Sequence, residues 1–134
     1  NLRDLRRDIF LIAAAGPASN LVLATLVAVL LPILPFPPVV WGFLIGINVT
    51  LAAFNLLPIH PLDGGKIFSS LLPRDLAYEY DSILHRYGFL ILLLLVFPIF
   101  GARSGVSYFI TPLTDLLMNG ILNFARAIHT LFLP

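Results

Sequence analysis

The sequence predicts an all-α membrane protein, a polytopic bundle of about four transmembrane helices, one of them broken at a proline and Asp-Gly-Gly stretch. Three observations predict it. Hydrophobic residues fill 59% of the 134 positions and charged residues only 11%, so there is too little polar surface to cover a soluble core of this length. Apolar runs recur that are long enough for a hydrocarbon layer of about 30 Å. Basic residues gather at the ends of those runs and form no stripe, which excludes a nucleic-acid footprint. The absence of cysteine leaves only nitrogen and oxygen side chains for any metal. The opening "NLRDLRRDIF" is basic, but the apolar run behind it is too long for a signal peptide and is interrupted by "GP". The chain, 1–134, therefore reads as a single transmembrane domain.

The first span is expected over about residues 9–34, ending at the proline cluster "PILPFPP". A second covers about 39–57, with a broken continuation to 72. The third, about 80–100, is centred on "GFLILLLLVFPIF", a segment with no small or polar side chain in its "LILLLLVF" core, as a lipid-facing helix requires. The fourth covers about 106–131. Arg3, Arg6 and Arg7 precede the first span, Lys66, Arg74 and Arg86 fall between the second and third apolar cores, and Arg126 closes the fourth. Of the 8 basic residues only Arg103 then lies on the other side. By the positive-inside rule both chain ends are expected in the cytoplasm, in a multi-pass protein of the cell membrane.

Two spans carry more than bulk. Ala13, Pro17, Asn20, Ala24 and Ala28 recur at helical spacing as one stripe of small residues with an amide inside it. Read alone, Asn20 is a candidate for an interhelical hydrogen bond. On the second span Gly42, Gly46, Thr50 and Ala53 form one seam, and Asn48, Ala52 and Asn55 another, so both faces are expected to meet protein. Then comes "NLLPIHPLDGG", Asn55 to Gly65. Pro58 and Pro61 forbid a continuous helix and the glycine pair permits unusual backbone, so the chain should unwind here and restart near Lys66. Irregular backbone at membrane depth must be buried in protein or line a wet cavity. An aspartate there must be paired, protonated or bound to a cation, and otherwise "LDGG" is a turn with Asp63 at the water surface.

"GPASN" at Gly16 to Asn20, followed by "NLLPIHPLDGG", resembles the two downstream motifs of the site-2 proteases, the intramembrane zinc metalloproteases of peptidase family M50, and especially their short prokaryotic members. The resemblance extends over "NLRDLRRDIFLIAAAGPASN" and "HRYGFLILLLL", most of the chain. It implies hydrolysis of peptide bonds in membrane-embedded or membrane-proximal protein substrates. It also implies that Asp63 supplies a third protein ligand to zinc, after two histidines of a His-Glu-x-x-His helix. Asn55 would hold the substrate backbone extended beside the metal, and Asn20 would orient substrate or stabilise the developing oxyanion.

The sequence departs from that pattern in one respect. Its 3 histidines, His60, His85 and His129, are isolated, and no His-Glu-x-x-His occurs. The expectation is that this is the C-terminal part of a protease core whose missing N-terminal spans carry the other ligands and the general base, and that it is inactive alone. His60, three residues before Asp63, is read as a neighbour of a metal ligand more than as a ligand itself. His85 and His129 read as interfacial residues at helix ends, and Lys66 as reaching the headgroups. Thr111, Asp115, Asn119, Asn123 and Arg126 form a polar stripe on the fourth span. The stripe either faces water on a tilted or interfacial helix or carries a proton or ion path. An ion-translocating subunit with Asp115 and Asp63 as relays is thus one alternative, and a non-catalytic relative that grips membrane helices is another.

Overall fold

The computed structural model describes residues 2–31, 33, 35–98 and 104–132. Among these the chain is helical with no strand, in the order α1 (Leu2–Leu30), α2 (Pro38–Asn55), α3 (Asp63–Leu71), α4 (Arg74–Val96) and α5 (Ser107–Phe132). Two stretches are long and apolar enough to cross a membrane, Leu5–Leu30 and Pro38–Asn55. Helix α1 starts well before the expected residue 9, and Arg6 ties this early part of it to the end of α3. The tail of the expected first span (32 and 34), the end of the third (99–100) and Arg103 lie outside the described residues.

Helix α2 begins with Pro38 in its first turn, where a missing N–H costs nothing and the fixed φ suits the helix. Trp41 donates its indole N–H to the Phe36 carbonyl at 3.1 Å and meets the Phe36 ring edge-on at 5.5 Å, which fixes the chain's entry into the helix. The core lies where α1, α2 and α5 converge: Ala24 and Ala28, Ile45 and Val49, Ile121 and Ala125. Small residues on α1 let the branched side chains of α2 approach closely, as helices packing without a strong hydrophobic drive require. The expected α1 stripe is borne out, since Ala13, Pro17, Ala24 and Ala28 are all buried and Asn20 is half-buried. His129, expected at an interface, instead places Nε2 2.9 Å from the Val29 carbonyl and ties the end of α5 to the end of α1.

One expectation for α2 is corrected. Asn48, Ala52 and Ala53 are buried with Trp41, Ile45 and Val49, but Gly42 and Thr50 are exposed, so of the Gly42–Ala53 seam only the Ala53 end meets protein. A methyl group on Gly42 or Gly46 would meet nothing within 4 Å. A helix has one direction of closest approach to its neighbours, and the branched residues Ile45 and Val49 win it by filling more volume. Asn48 donates to the Leu44 carbonyl of its own helix at 2.8 Å, so it makes no bridge between helices.

Helix α4 packs on α3 and on the turn before it through Ala77, Leu84 and Gly88. Its far half is exposed, with Phe89, Leu90, Leu93 and Leu94 facing outward. The polar stripe of α5, Thr111, Asp115, Asn119, Asn123 and Arg126, is exposed as well, and Asn123 accepts a hydrogen bond from Arg126 at 3.2 Å.

Candidate functional site

Helix α2 stops at Asn55, where Pro58 and Pro61 deny it further N–H donors. The connection 56–62 folds into consecutive tight turns. Ile59 N–H reaches the Leu57 carbonyl and Leu62 N–H the Ile59 carbonyl, each at 2.8 Å, and the His60–Pro61 peptide is cis. Leu57 and Ile59 are buried and seat the turn on the protein, while Pro58 and Pro61 are exposed. The chain resumes as helix at Asp63, three residues earlier than the expected restart near Lys66. An acid in a first helical turn is favoured by the partial positive charge of the free N–H groups, and that preference decides the boundary.

Gly64 and Gly65 serve as points of close approach. A methyl on Gly64 would strike the Leu56–Leu57 peptide, and one on Gly65 would come to 3.0 Å from the His60 nitrogen. The glycines therefore let α3 fold directly back against the turn that precedes it. Gly88 plays the same part from α4, where a methyl would run into the His60 carbonyl. Tyr80, one helical face away, donates its hydroxyl to the Pro58 carbonyl at 2.8 Å. The His60 and His85 rings lie 4.4 Å apart, so His85 faces this turn from within α4 and does not sit at a helix end.

The two sequence motifs meet at Asp63. A methyl on Gly16 of α1 would lie 2.9 Å from Asp63 Oδ2. On the other side Lys66 Nζ stands 3.7 Å from Asp63 Oδ1, so this lysine turns to the aspartate and is not simply directed at headgroups. The Asp63 side chain keeps 33% of its surface open. Asn20 follows Gly16 by four residues and so shares its face of α1, about 6 Å along the axis. Asn55 closes α2 and is half-buried. Neither amide is hydrogen-bonded to another described residue, so both remain available to a ligand. Among the described residues the interhelical bond for which Asn20 is a candidate is not made.

Asp63 fits a metal as a single carboxylate donor. Gly16 keeps the space beside Oδ2 free of side chain, and an oxygen donor of this kind suits zinc. Among the described residues no three His, Asp or Glu side chains converge on one point. A cavity of about 640 Å³ opens between α1, α3 and α4, lined on its apolar side by Leu5, Ile9, Ile12 and Leu84. Leu5, Ile9 and Ile12 continue the face of α1 that carries Gly16, and the cavity is bordered by His60, Gly65 and Lys66, while Asp63 itself does not line it. Sequence reasoning missed Arg6, Tyr80 and Gly88 as parts of this assembly. A lone glycine ahead of a long apolar run could have flagged Gly88 as a point of close approach, but nothing local marks Arg6 or Tyr80, whose partners are main-chain carbonyls far away in the chain.

The site is thus a partly buried unwound turn between apolar helices that presents one carboxylate, Asp63. Residues 37–95, from the start of α2 through most of α4, match the family model of peptidase family M50. The chain is 46% identical over 79 residues to sll0528 of Synechocystis, and 32% identical over 128 residues to YwhC of Bacillus subtilis. Both relatives are named zinc metalloproteases. The first match covers 56% of this chain and 21% of the relative, the second 87% and 52%, so the chain spans about half the length of YwhC or less of sll0528. No solved structure matches. Over residues 37–95 the chain is similar to peptidase family M50, and the likeness to YwhC extends over 128 residues.

Proposed function

We propose that this chain forms part of the catalytic core of an intramembrane zinc metalloprotease of the site-2 type, cutting membrane-embedded or membrane-proximal peptide bonds near the cytoplasmic face. In this reading α1, α2, α4 and α5 are four spans of a multi-pass protein in the cell membrane, α3 completes the broken second span, and both ends lie in the cytoplasm. The observation that carries it is the meeting of Gly16 with Asp63, which joins the two family motifs in space. Asp63 binds zinc through its open carboxylate, the remaining donors and the general base coming from spans outside these residues. A zinc ion held there would supply a bound water of lowered pKa and polarisation of the scissile carbonyl.

The chain's own groups do the rest. Asn55, at the lip of the unwound turn, offers an amide that can pair with both the N–H and the C=O of an extended substrate strand. Asn20 offers N–H donors from the face of α1 that Gly16 keeps bare, placed to orient substrate or to stabilise charge developing on the scissile carbonyl oxygen. In the turn 56–62 the carbonyls of Leu57, Pro58, Ile59 and Leu62 already accept hydrogen bonds within the chain and so do not compete for the substrate backbone. An ion relay through Asp115 finds less support, because α5 packs on α1 and α2 and presents that stripe outward.

The test is Asp63→Asn in the complete protein, assayed with a membrane-embedded reporter substrate. Cleavage is expected to vanish while substrate capture persists. Undiminished cleavage would sink the proposal, and a lost ion flux with intact cleavage would favour the relay.

A further inference from the structure

Arg6 lies one long helix and a whole span away from the aspartate, yet its guanidinium closes the far end of the helix that carries it. Its Nη2 donates to the carbonyls of Ser69 and Ser70, at 3.0 and 3.1 Å, and to that of Leu72. Ser69 and Ser70 stand in the last turn of α3, whose carbonyls lack the usual partner four residues on, and Leu72 is its C-cap. The Leu72 N–H reaches the Ser69 carbonyl at 3.3 Å, but Leu72 is extended and is followed by Pro73, so no continuing helix supplies further donors. A guanidinium suits the place because it adds positive charge at the negative end of the helix and presents several donors in one plane.

The geometry sets a register. Helix α3 lies antiparallel to the start of α1: its first residue, Asp63, meets Gly16, and its end meets Arg6. From Arg6 to Gly16 is ten residues, about 15 Å of helix, and from Asp63 to Leu72 is nine, about 13.5 Å. The two helices are matched in length between these contacts. A nine-residue helix has little stability of its own, and its glycine pair leaves its first turn without side-chain packing. A slide of one residue along α1 would displace Asp63 by about 1.5 Å and turn it by about 100°, enough to take the carboxylate off Gly16.

We propose that Arg6 is a positioning residue for Asp63: by fixing the C-terminal end of α3 on α1 it holds the carboxylate at the N-terminal end in the register that binds metal. Arg6 touches neither metal nor substrate. This rests on the reading of Asp63 as a zinc ligand, and the experiment separates the two.

In the complete protein, Arg6→Gln, Arg6→Lys and, as a control, exposed Arg7→Gln are compared with Asp63→Asn. Zn²⁺ affinity is read by competition with a chromophoric chelator, and α3 by hydrogen exchange of its amides. Arg6→Gln is expected to weaken Zn²⁺ binding about tenfold or more, as loss of a residue supporting a ligand does, and to speed exchange in α3 while α2 stays protected. Arg6→Lys should recover part of both, and Arg7→Gln should match the parent. Faster α3 exchange with unchanged Zn²⁺ affinity in Arg6→Gln would overturn the proposal, as would parental behaviour in both readouts. If Arg6→Gln does not fold, Arg6→Lys decides by the same criteria, parental values counting against it. If Asp63→Asn leaves Zn²⁺ affinity intact, the zinc-ligand reading fails, and exchange alone judges whether Arg6 holds α3.

Discussion

Gly16 of α1 faces Asp63 of α3 so closely that a single methyl group would stand 2.9 Å from the carboxylate oxygen Oδ2. Forty-seven positions apart, the two residues define one contact. It explains why a glycine occupies the middle of a membrane-length helix, where it is otherwise about 0.5–1 kcal/mol worse than alanine.

Gly16→Ala should therefore separate stability from metal binding. The added methyl improves helix propensity by up to about 1 kcal/mol, and the carboxylate, a flexible group, can swing aside. We expect an unfolding midpoint at or slightly above that of the parent, with Zn²⁺ affinity of the complete protein reduced about tenfold. Equal Zn²⁺ affinity, measured by chelator competition, would show that Gly16 is not shaping the site.

Gly88→Ala should behave differently, since its methyl would meet a main-chain carbonyl, that of His60, which cannot swing away. Helix α4 would have to retreat, weakening the Tyr80–Pro58 hydrogen bond and the His60–His85 contact. The expected cost is about 1–3 kcal/mol, the usual scale for overpacking. Denaturant unfolding in micelles measures it, and a parental midpoint would mean that α4 is not tightly seated on the turn.

The helical class, the packing stripe Ala13–Ala28 and the break after Asn55 were legible because each is a local pattern. Spacing of small residues, proline positions and apolar runs act within a few turns of chain. The α2 seam misled for an instructive reason. Gly42, Gly46 and Thr50 carry the same spacing as a packing face, but which of two compatible faces is buried depends on the neighbours, and Ile45 and Val49 met them first.

By itself the sequence determined that this chain is all helical and rich in apolar spans, that it unwinds between Asn55 and Asp63, and which side chains there could do chemistry. Only the tertiary structure decided that Asp63 opens a short helix, that Gly16 makes room for it, that Lys66 turns toward it and that Arg6 anchors the helix's far end. The Gly16 and Arg6 contacts join segments 47 to 66 residues apart. They depend on where the packing of α1 on α2 brings the backbone, and several end on main-chain carbonyls, which every residue carries and no sequence pattern marks.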